Sequence, residues 1–280
     1  MEVLNGSLLA GRRVLITGGG SGLGLSMAKR FATLGADVVI CGRREAVLAT
    51  ARDEIAARND DARVDMQICD VRNSAEVGAM MDRIWSQGAI DILVNNAAAT
   101  FIAQTHLLSH RAADAILAPT LHGALYCTLE AGRRWIEEAR PGVVLSILST
   151  SAITGRAFTT PSAMAKAGLL AMTRSLAVEW GPHRIRLVAI APGPFPTPGS
   201  SAQLLPDERA GQLESRVPLG RVGKQDELAE LAAFMVSDAA SYMTGEMVVL
   251  DGGLHLRTSG ADDLLQWSQD QWAAYRANRN

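Results

Sequence analysis

Short apolar runs rich in β-branched residues alternate with longer amphipathic segments along nearly the whole chain, which is the rhythm of βαβ units. The runs Arg13 to Thr17, Asp37 to Cys41, Val64 to Ile68, Ile92 to Asn95, Gly142 to Ile147, Arg186 to Ala191 and Met247 to Leu250 predict seven strands, each too short for a helix and bounded by turn residues. Helical spacing occupies Leu23 to Leu34, Arg44 to Arg58, Ser74 to Trp85, Arg111 to Glu138 with a break near Pro119, Ser162 to Glu179 and Gln225 to Ser237. Helices placed between successive strands fit right-handed crossovers that cover both faces of a parallel sheet. The expectation is an α/β chain with one doubly wound domain over residues 1–280, built on a seven-stranded parallel sheet, since no linker, repeat or low-complexity tract interrupts the series. Its core spans about 10–253, with 254–280 as a C-terminal extension. The segment Pro192 to Pro218 departs from the rhythm: four prolines fall between Pro192 and Pro198, and its length suits a mobile cover over a ligand.

Composition narrows the class without naming a chemistry. The 280 residues are 48% hydrophobic with a net charge of −2, as in an ordinary globular protein. Lys and Arg are scattered, so there is no basic field for nucleic acid or an anionic membrane surface. Cys41, Cys69 and Cys127 are odd in number, far apart and set among apolar residues, a pattern of buried free thiols in a reducing compartment. Met1 to Gly11 lacks a basic stretch followed by an apolar one, and no run of about 18 apolar residues occurs. These features predict a cytoplasmic protein. His106, His110, His183 and His255 have no metal-like spacing with one another or with Cys, so no metal is expected. Met80, Met81, Met164, Met172 and Met235 read as core filler. Trp267, Trp272 and Tyr275 read as anchors of the tail on a neighbouring subunit, or as the end of an acyl pocket.

The first chemical signal is Val14-Leu15-Ile16-Thr17-Gly18-Gly19-Gly20-Ser21-Gly22-Leu23-Gly24, a strand running into a glycine-rich turn and then a helix. Gly18 permits a tight turn, Gly22 lets the backbone approach a pyrophosphate, and Gly24 lets the helix pack closely while its N-terminal amides, around Ser21 to Leu23, face phosphate. A merely tight βα turn is the alternative. An acidic residue at the end of the second strand would bind a ribose 2′-hydroxyl, but Gly42 stands there, followed by Arg43 and Arg44. A guanidinium binds a 2′-phosphate where a carboxylate would repel it, so Arg43 selects NADPH over NADH unless the pair is only a solvated surface. Asp70, just past the third strand and before Val71, would suit the adenine amino group or cap its own loop.

These residues, with Cys69-Asp70-Val71, Asn95-Asn96-Ala97-Ala98, Ser149, Lys166, Pro192-Gly193 with Thr197, and Asp251-Gly252-Gly253, resemble the short-chain dehydrogenase/reductase family in order and spacing over about residues 10 to 253. The resemblance implies a Rossmann-type fold, hydride transfer from a nicotinamide and usually a homotetramer. It also implies Asn96 and Ala97 along the cofactor, Lys166 on the nicotinamide ribose and the Pro192 to Thr197 loop beside the nicotinamide amide. The family's catalytic serine position is Ser149, in a run Ser149-Thr150-Ser151 where any hydroxyl could instead bond the backbone. The family's catalytic tyrosine position holds Ser162.

Pro161-Ser162-Ala163-Met164-Ala165-Lys166-Ala167-Gly168, followed by Ser175 to Trp180 and by Pro192-Gly193-Pro194, is similar to the NADPH-dependent 2,4-dienoyl-CoA reductases, where serine also stands four residues before the lysine. Mitochondrial members of that branch hold the thioester with an asparagine and a displaced tyrosine, whose positions correspond here to His122 and Ser151. Reducing a ketone needs a proton during hydride transfer, which a tyrosine of reference pKa about 10 supplies when a lysine lowers it. An aliphatic serine is a far poorer acid. A conjugated thioester spreads the charge into an enolate, so hydrogen bonds to its oxygen suffice and carbon can be protonated later. Ser162 and Lys166, one helical turn apart, would then orient ribose, water and substrate. His122, with an imidazole of reference pKa about 6.5, would donate to the thioester oxygen or supply the proton, unless it is a packed or surface histidine. The leading expectation is an NADPH-dependent reductase of an unsaturated acyl-CoA. The alternatives are a carbonyl or alcohol oxidoreductase protonating through His122 or water, and a nucleotide-binding protein with little turnover.

Overall fold

A computed structural model describes residues 6–59, 63–197, 213–257 and 261–277. Seven strands form one all-parallel sheet in the order β3-β2-β1-β4-β5-β6-β7. They are β1 (Arg13–Thr17), β2 (Asp37–Gly42), β3 (Val64–Ile68), β4 (Ile92–Asn95), β5 (Gly142–Ile147), β6 (Ile185–Pro192) and β7 (Met247–Leu250). The chain winds outward from β1 to β3, returns to β4 on the other side of β1, and proceeds to β7. The reversal between β1 and β4 is the point where a doubly wound sheet leaves a crevice at the carboxyl ends of its strands.

Alternate residues of the inner strands enter two different cores, which is why these segments read as unbroken apolar runs. Val14, Ile16, Val38 and Ile40 face the core shared with α1 (Gly22–Thr33) and α8 (Gln225–Val236). Leu15, Val39 and Cys41 face the opposite core, with α3 (Ser74–Ser86) and the end of α7 (Thr160–Trp180). Cys69 and Cys127 join that second core, and all three cysteines are free and buried. Burial pushes the Cys69 thiol up to about 11 and raises those of Cys41 and Cys127 well above the ordinary thiol value, so the thiolate form, the nucleophile of cysteine chemistry, is suppressed.

The helix expected over Arg111 to Glu138 does not break at Pro119. It runs as α4 (His110–Leu117), a π-helical turn over Ala118–His122 and α5 (Gly123–Glu137). A wider turn accommodates a residue that lacks an N–H, and such single π turns recur at functional sites. Other elements lay outside the sequence expectation: the short α6 (Ser151–Thr154) and α9 (Gln269–Ala277). α2 is Glu45–Ala56. Met80, Met81 and Met235 are buried and Met172 partly so, but Met164 is exposed and is not core filler. In the tail, Trp267, Trp272 and Tyr275 pack edge-on against one another, with centroids 4.9 to 6.2 Å apart, and α9 buries none of its residues. Residues 198–212, most of the segment expected to form a cover, lie outside the described residues. No described helix is long and apolar enough to cross a membrane.

Candidate active site

The sequence-identified residues gather where the strands end. Thr17 closes β1, and its buried hydroxyl accepts from the backbone N–H groups of Asn96 and Ala97, both at 3.0 Å, while donating to Val94 O at 3.2 Å. The Asn96 amide donates to Thr17 O at 2.9 Å and more weakly to Gly18 O at 3.3 Å. The glycine turn is thereby fastened to the end of β4 across the switch point. Gly18 has φ +65, and a Cβ there would stand 3.1 Å from both Ala97 Cα and the Asn96 amide nitrogen. A Cβ at Gly24 would come within 2.5 Å of the Asn96 amide nitrogen and Gly18 O. Both positions therefore require glycine, one for backbone conformation and close approach, the other for close approach alone. Between them, Gly22 lies opposite Thr197.

At the other end of this crevice, β2 finishes at Gly42 and Arg43 is exposed, with no carboxylate paired to it among the described residues. Asp70 is engaged by Arg72: its carboxylate accepts from Nη2 at 2.5 Å, from Nε at 2.9 Å and from the Arg72 backbone N–H at 3.1 Å. The Arg72 guanidinium foremost, with help from Arg43, holds that carboxyl below its usual range. Asp70 thus caps its own loop through Arg72. Val71 is buried against α5, where a Cβ on Gly123 would strike its side chain.

Ser162 and Lys166 lie one turn apart on α7, a helix with Pro161 in its first turn, where the missing N–H costs nothing. Lys166 is buried, and its Nζ donates to Ile147 O, the last residue of β5, at 2.5 Å. Desolvation lowers its pKa to about 8. Ser149 follows two residues after that carbonyl, and its hydroxyl accepts a long 3.4 Å bond from Ser151 N. Ser162 is half-buried and makes no hydrogen bond among the described residues. His122 ends the π turn. It is exposed, without a hydrogen-bond partner among the described residues, its ring 6.2 Å from that of Tyr126. The preceding Leu121 seats the π turn on α7, because Gly168 leaves it room: a Cβ there would be 2.9 Å from Leu121 Cδ1. Lys166 of α7 thus bonds the end of β5 two residues before Ser149, with Ser162 one turn earlier on the same helix and the turn before His122 docked against it.

Three polar groups make contacts that the sequence alone does not show, two of them, Thr17 and Asp251, within motifs already named. Thr17 was visible in the glycine motif but not as the hydrogen-bond hub it is. Thr120, fully buried in the π turn, accepts from Ala99 N at 3.1 Å and so fixes the loop after β4; nothing in its sequence context marks it. Asp251, just past β7, accepts from Gly253 N at 2.9 Å, His255 N at 2.7 Å and His255 Nδ1 at 2.8 Å. Asp251 also abuts Gly193, which has no room for a Cβ there, and the Gly193 N–H donates to Leu250 O at 2.9 Å. The Pro192–Gly193 loop is held in place by this pair of contacts. Among the described residues no group of three or more His, Cys, Asp or Glu could hold a metal ion.

A crevice with closely packed glycines, amides at the start of α1 and an unpaired arginine at the end of β2 fits a phosphorylated dinucleotide, and no carboxylate ends β2 to repel a 2′-phosphate. Comparison with known proteins agrees with this geometry. The family described as Enoyl-(Acyl carrier protein) reductase matches residues 18–255. A protein of Bacillus subtilis (strain 168) named a probable 2,4-dienoyl-CoA reductase is 40% identical over 245 residues, covering 86% of this chain and 96% of the relative. A short chain dehydrogenase from Bacillus anthracis str. 'Ames Ancestor' superposes with a TM-score of 0.81 at 40% identity, over 89% of this chain and 98% of that one. The gluconate 5-dehydrogenase of Burkholderia cenocepacia J2315, in complex with NADP and tartrate, gives a TM-score of 0.85 at 31% identity, over 92% of this chain and all of that one. Fold, crevice and matched length together establish that this chain belongs to the short-chain dehydrogenase/reductase family of oxidoreductases.

Proposed function

We propose that the chain is an NADPH-dependent reductase of an unsaturated acyl-CoA, a 2,4-dienoyl-CoA or an enoyl-CoA, acting through an enolate. The observation that carries this reading is the pairing of Ser162 with Lys166 on α7 and the absence of a phenol from that turn. The chain has three tyrosines. Tyr126 packs against the core that contains Val71 with its ring 6.2 Å from that of His122, Tyr242 is fully exposed and Tyr275 stacks in the tail. The dienoyl-CoA reductase name of the Bacillus subtilis relative supports the same substrate class.

The cofactor is NADP(H), which supplies hydride when bound. The Gly18 to Gly24 turn, with Ser21 and Leu23 at the start of α1, would receive its pyrophosphate, and Arg43 its 2′-phosphate. Asp70 and Val71 would flank the adenine, Asn96 and Ala97 would line the ribose side, and Pro192, Gly193 and Thr197 would border the nicotinamide. Lys166 would bind the nicotinamide ribose and contribute a positive charge below pH about 8. Ser149 and Ser162 would hydrogen-bond the thioester oxygen or a water beside it, and His122 would donate to that oxygen or return a proton to carbon. Because charge on a conjugated thioester spreads over several atoms, hydroxyls of this kind are adequate donors. Residues 10–253 form the catalytic core of a single domain, and a homotetramer in the cytoplasm is the assembly we assign.

Purified protein mixed with NADPH and followed by absorbance with a dienoyl-CoA, an enoyl-CoA and a 3-ketoacyl-CoA in parallel tests this reading. Oxidation with the unsaturated thioesters is expected. Oxidation with the ketone alone would overturn it, in favour of a carbonyl reductase that protonates through His122 or water.

A further inference from the structure

A cavity of about 590 Å³ opens beside the start of α7, between the loop after β4, through Gln104, Thr105 and His106, and the loop entering α7, through Ala157, Phe158 and Thr160. Two hydrogen bonds tie its walls together: Ala103 N donates to Phe158 O at 2.9 Å, and the hydroxyls of Thr105 and Thr160 meet at 3.1 Å. Those two hydroxyls are therefore already occupied by one another. Phe158 has φ +65, in the left-handed region that a bulky residue rarely adopts, yet its side chain is 56% exposed. A backbone in this conformation persists where surrounding contacts hold it, here the Ala103 bond to its carbonyl. The phenyl ring itself stands in water beside the cavity. Ile102 and Leu107, which border the first wall in sequence, are exposed as well. The second wall leads directly into α7, two residues before Ser162.

We propose that this groove receives the apolar acyl chain of the substrate and that Phe158 is its specificity-determining wall. The proposal rests on the acyl-CoA reading given above and assigns that substrate's hydrocarbon end a place. The cavity has the size of ordinary ligand sites, about 300 to 1,000 Å³. It opens beside the helix that carries Ser162 and Lys166, so a chain whose thioester lies at Ser162 need only turn toward the start of α7 to enter. Covering the Phe158 ring with methylenes removes its apolar surface from water, a favourable transfer. Each methylene so buried is worth about fourfold in affinity.

The test is titration calorimetry of the NADP⁺-loaded protein with saturated acyl-CoAs of four, eight and twelve carbons. Wild type should bind more tightly as the chain lengthens, by at most about fourfold per methylene, until the groove fills. Phe158→Ala should flatten that dependence, weakening the twelve-carbon ligand about tenfold more than the four-carbon one. Phe158→Gly should flatten it too while raising the melting temperature, because glycine relieves the positive φ; a lost chain-length slope then cannot be assigned to unfolding. Ala157→Trp should fill the groove and move the preferred length downward. A wild-type affinity independent of chain length, or a slope that survives in both Phe158 variants, would overturn the proposal. Turnover of unsaturated thioesters is read separately by NADPH absorbance, so a failure of the reductase reading is distinguishable from a failure of the groove.

Discussion

Lys166 holds its ammonium 2.5 Å from the carbonyl oxygen of Ile147, a bond that ties the middle of α7 to the last residue of β5. The lysine is buried and desolvation lowers its pKa from 10.5 to about 8. In the charged form it carries an ionic group in a water-poor site, which is useful next to a developing oxyanion and unfavourable for folding.

Activity should follow that charge. The rate should be level below pH about 8 and fall as the pH rises through it, with the slope of one proton lost. Lys166→Arg, which stays charged throughout this range, should remove the alkaline limb from whatever activity survives. Lys166→Ala should abolish turnover and weaken NADPH binding. A wild-type profile flat to pH 10, or wild-type rates in Lys166→Ala, would refute the assignment.

Stability should move the other way. A folded-state pKa below the unfolded value means that the unfolded chain binds this proton more tightly, so the charge destabilises the fold below pH about 8. That cost, about 3 kcal/mol at its full size, is relieved as pH rises from about 8 toward 10.5. Lys166→Met should be the more stable protein at pH 7, with the difference from wild type narrowing between pH 8 and 10.5. Urea unfolding at several pH values measures it, and taking the difference between the two proteins removes the opposite trend of the buried thiols, whose raised pKa values lower stability above pH about 9.

Arg43 and Gly42 together decide the cofactor argument. With a glycine at the end of β2 and an exposed guanidinium after it, a 2′-phosphate bound there would find a charged donor and meet no carboxylate at that strand end. Arg43→Ala should raise KM for NADPH by about tenfold or more, corresponding to loss of a charge-assisted hydrogen bond of roughly 1.5 to 3 kcal/mol, and change KM for NADH little. Equal changes for the two cofactors would leave the preference unexplained.

Much of this arrangement was legible in the sequence because the relevant signals are local. Runs such as Val38 to Cys41 announce strands by composition, and all seven strands lie within a residue of their expected ends. The glycine turn declares itself by type, and Ser162 and Lys166 share a helix face by spacing alone. What stayed hidden depends on contacts between distant segments. Pro119 signals a break, but the support of α7 beneath Leu121 allows a π turn instead. Thr17 looks like one more residue of the strand until Asn96 and Ala97 are brought against it. Phe158 carries no mark of a positive φ, since that conformation is imposed by the loop after β4 through Ala103.

Asp251 is a second long-range support. Its carboxylate, nearly inaccessible to solvent, accepts three hydrogen bonds from Gly253 and His255 while its Cβ abuts Gly193. Asp251→Ala leaves the Gly253 and His255 donors without their acceptor, and should cost about 2 to 3 kcal/mol in urea unfolding. If Gly193 borders the nicotinamide, the variant should also raise KM for NADPH. A loss below about 0.5 kcal/mol, the range of an ordinary surface substitution, would show that the segment does not depend on this carboxylate.

The sharpest chemical test is Ser162→Tyr. With serine, no strong acid stands one turn before Lys166, so a ketone would acquire charge on its oxygen without a phenol at that position to protonate it. A phenol at this position, with a buried ammonium one turn away, would have its pKa lowered toward neutrality by that charge and could act as the missing acid. Ser162 is half-buried, so part of its own surface is open to a larger side chain. The variant should acquire 3-ketoacyl-CoA reduction that wild type lacks, while the unsaturated thioesters lose rate because the ring displaces them from the hydroxyl they use. NADPH consumption with the two substrate classes, measured side by side, separates this from a general loss of activity. Wild type reducing the ketone as fast as the variant would mean that another group already supplies the proton, and that the serine at 162 does not govern the reaction.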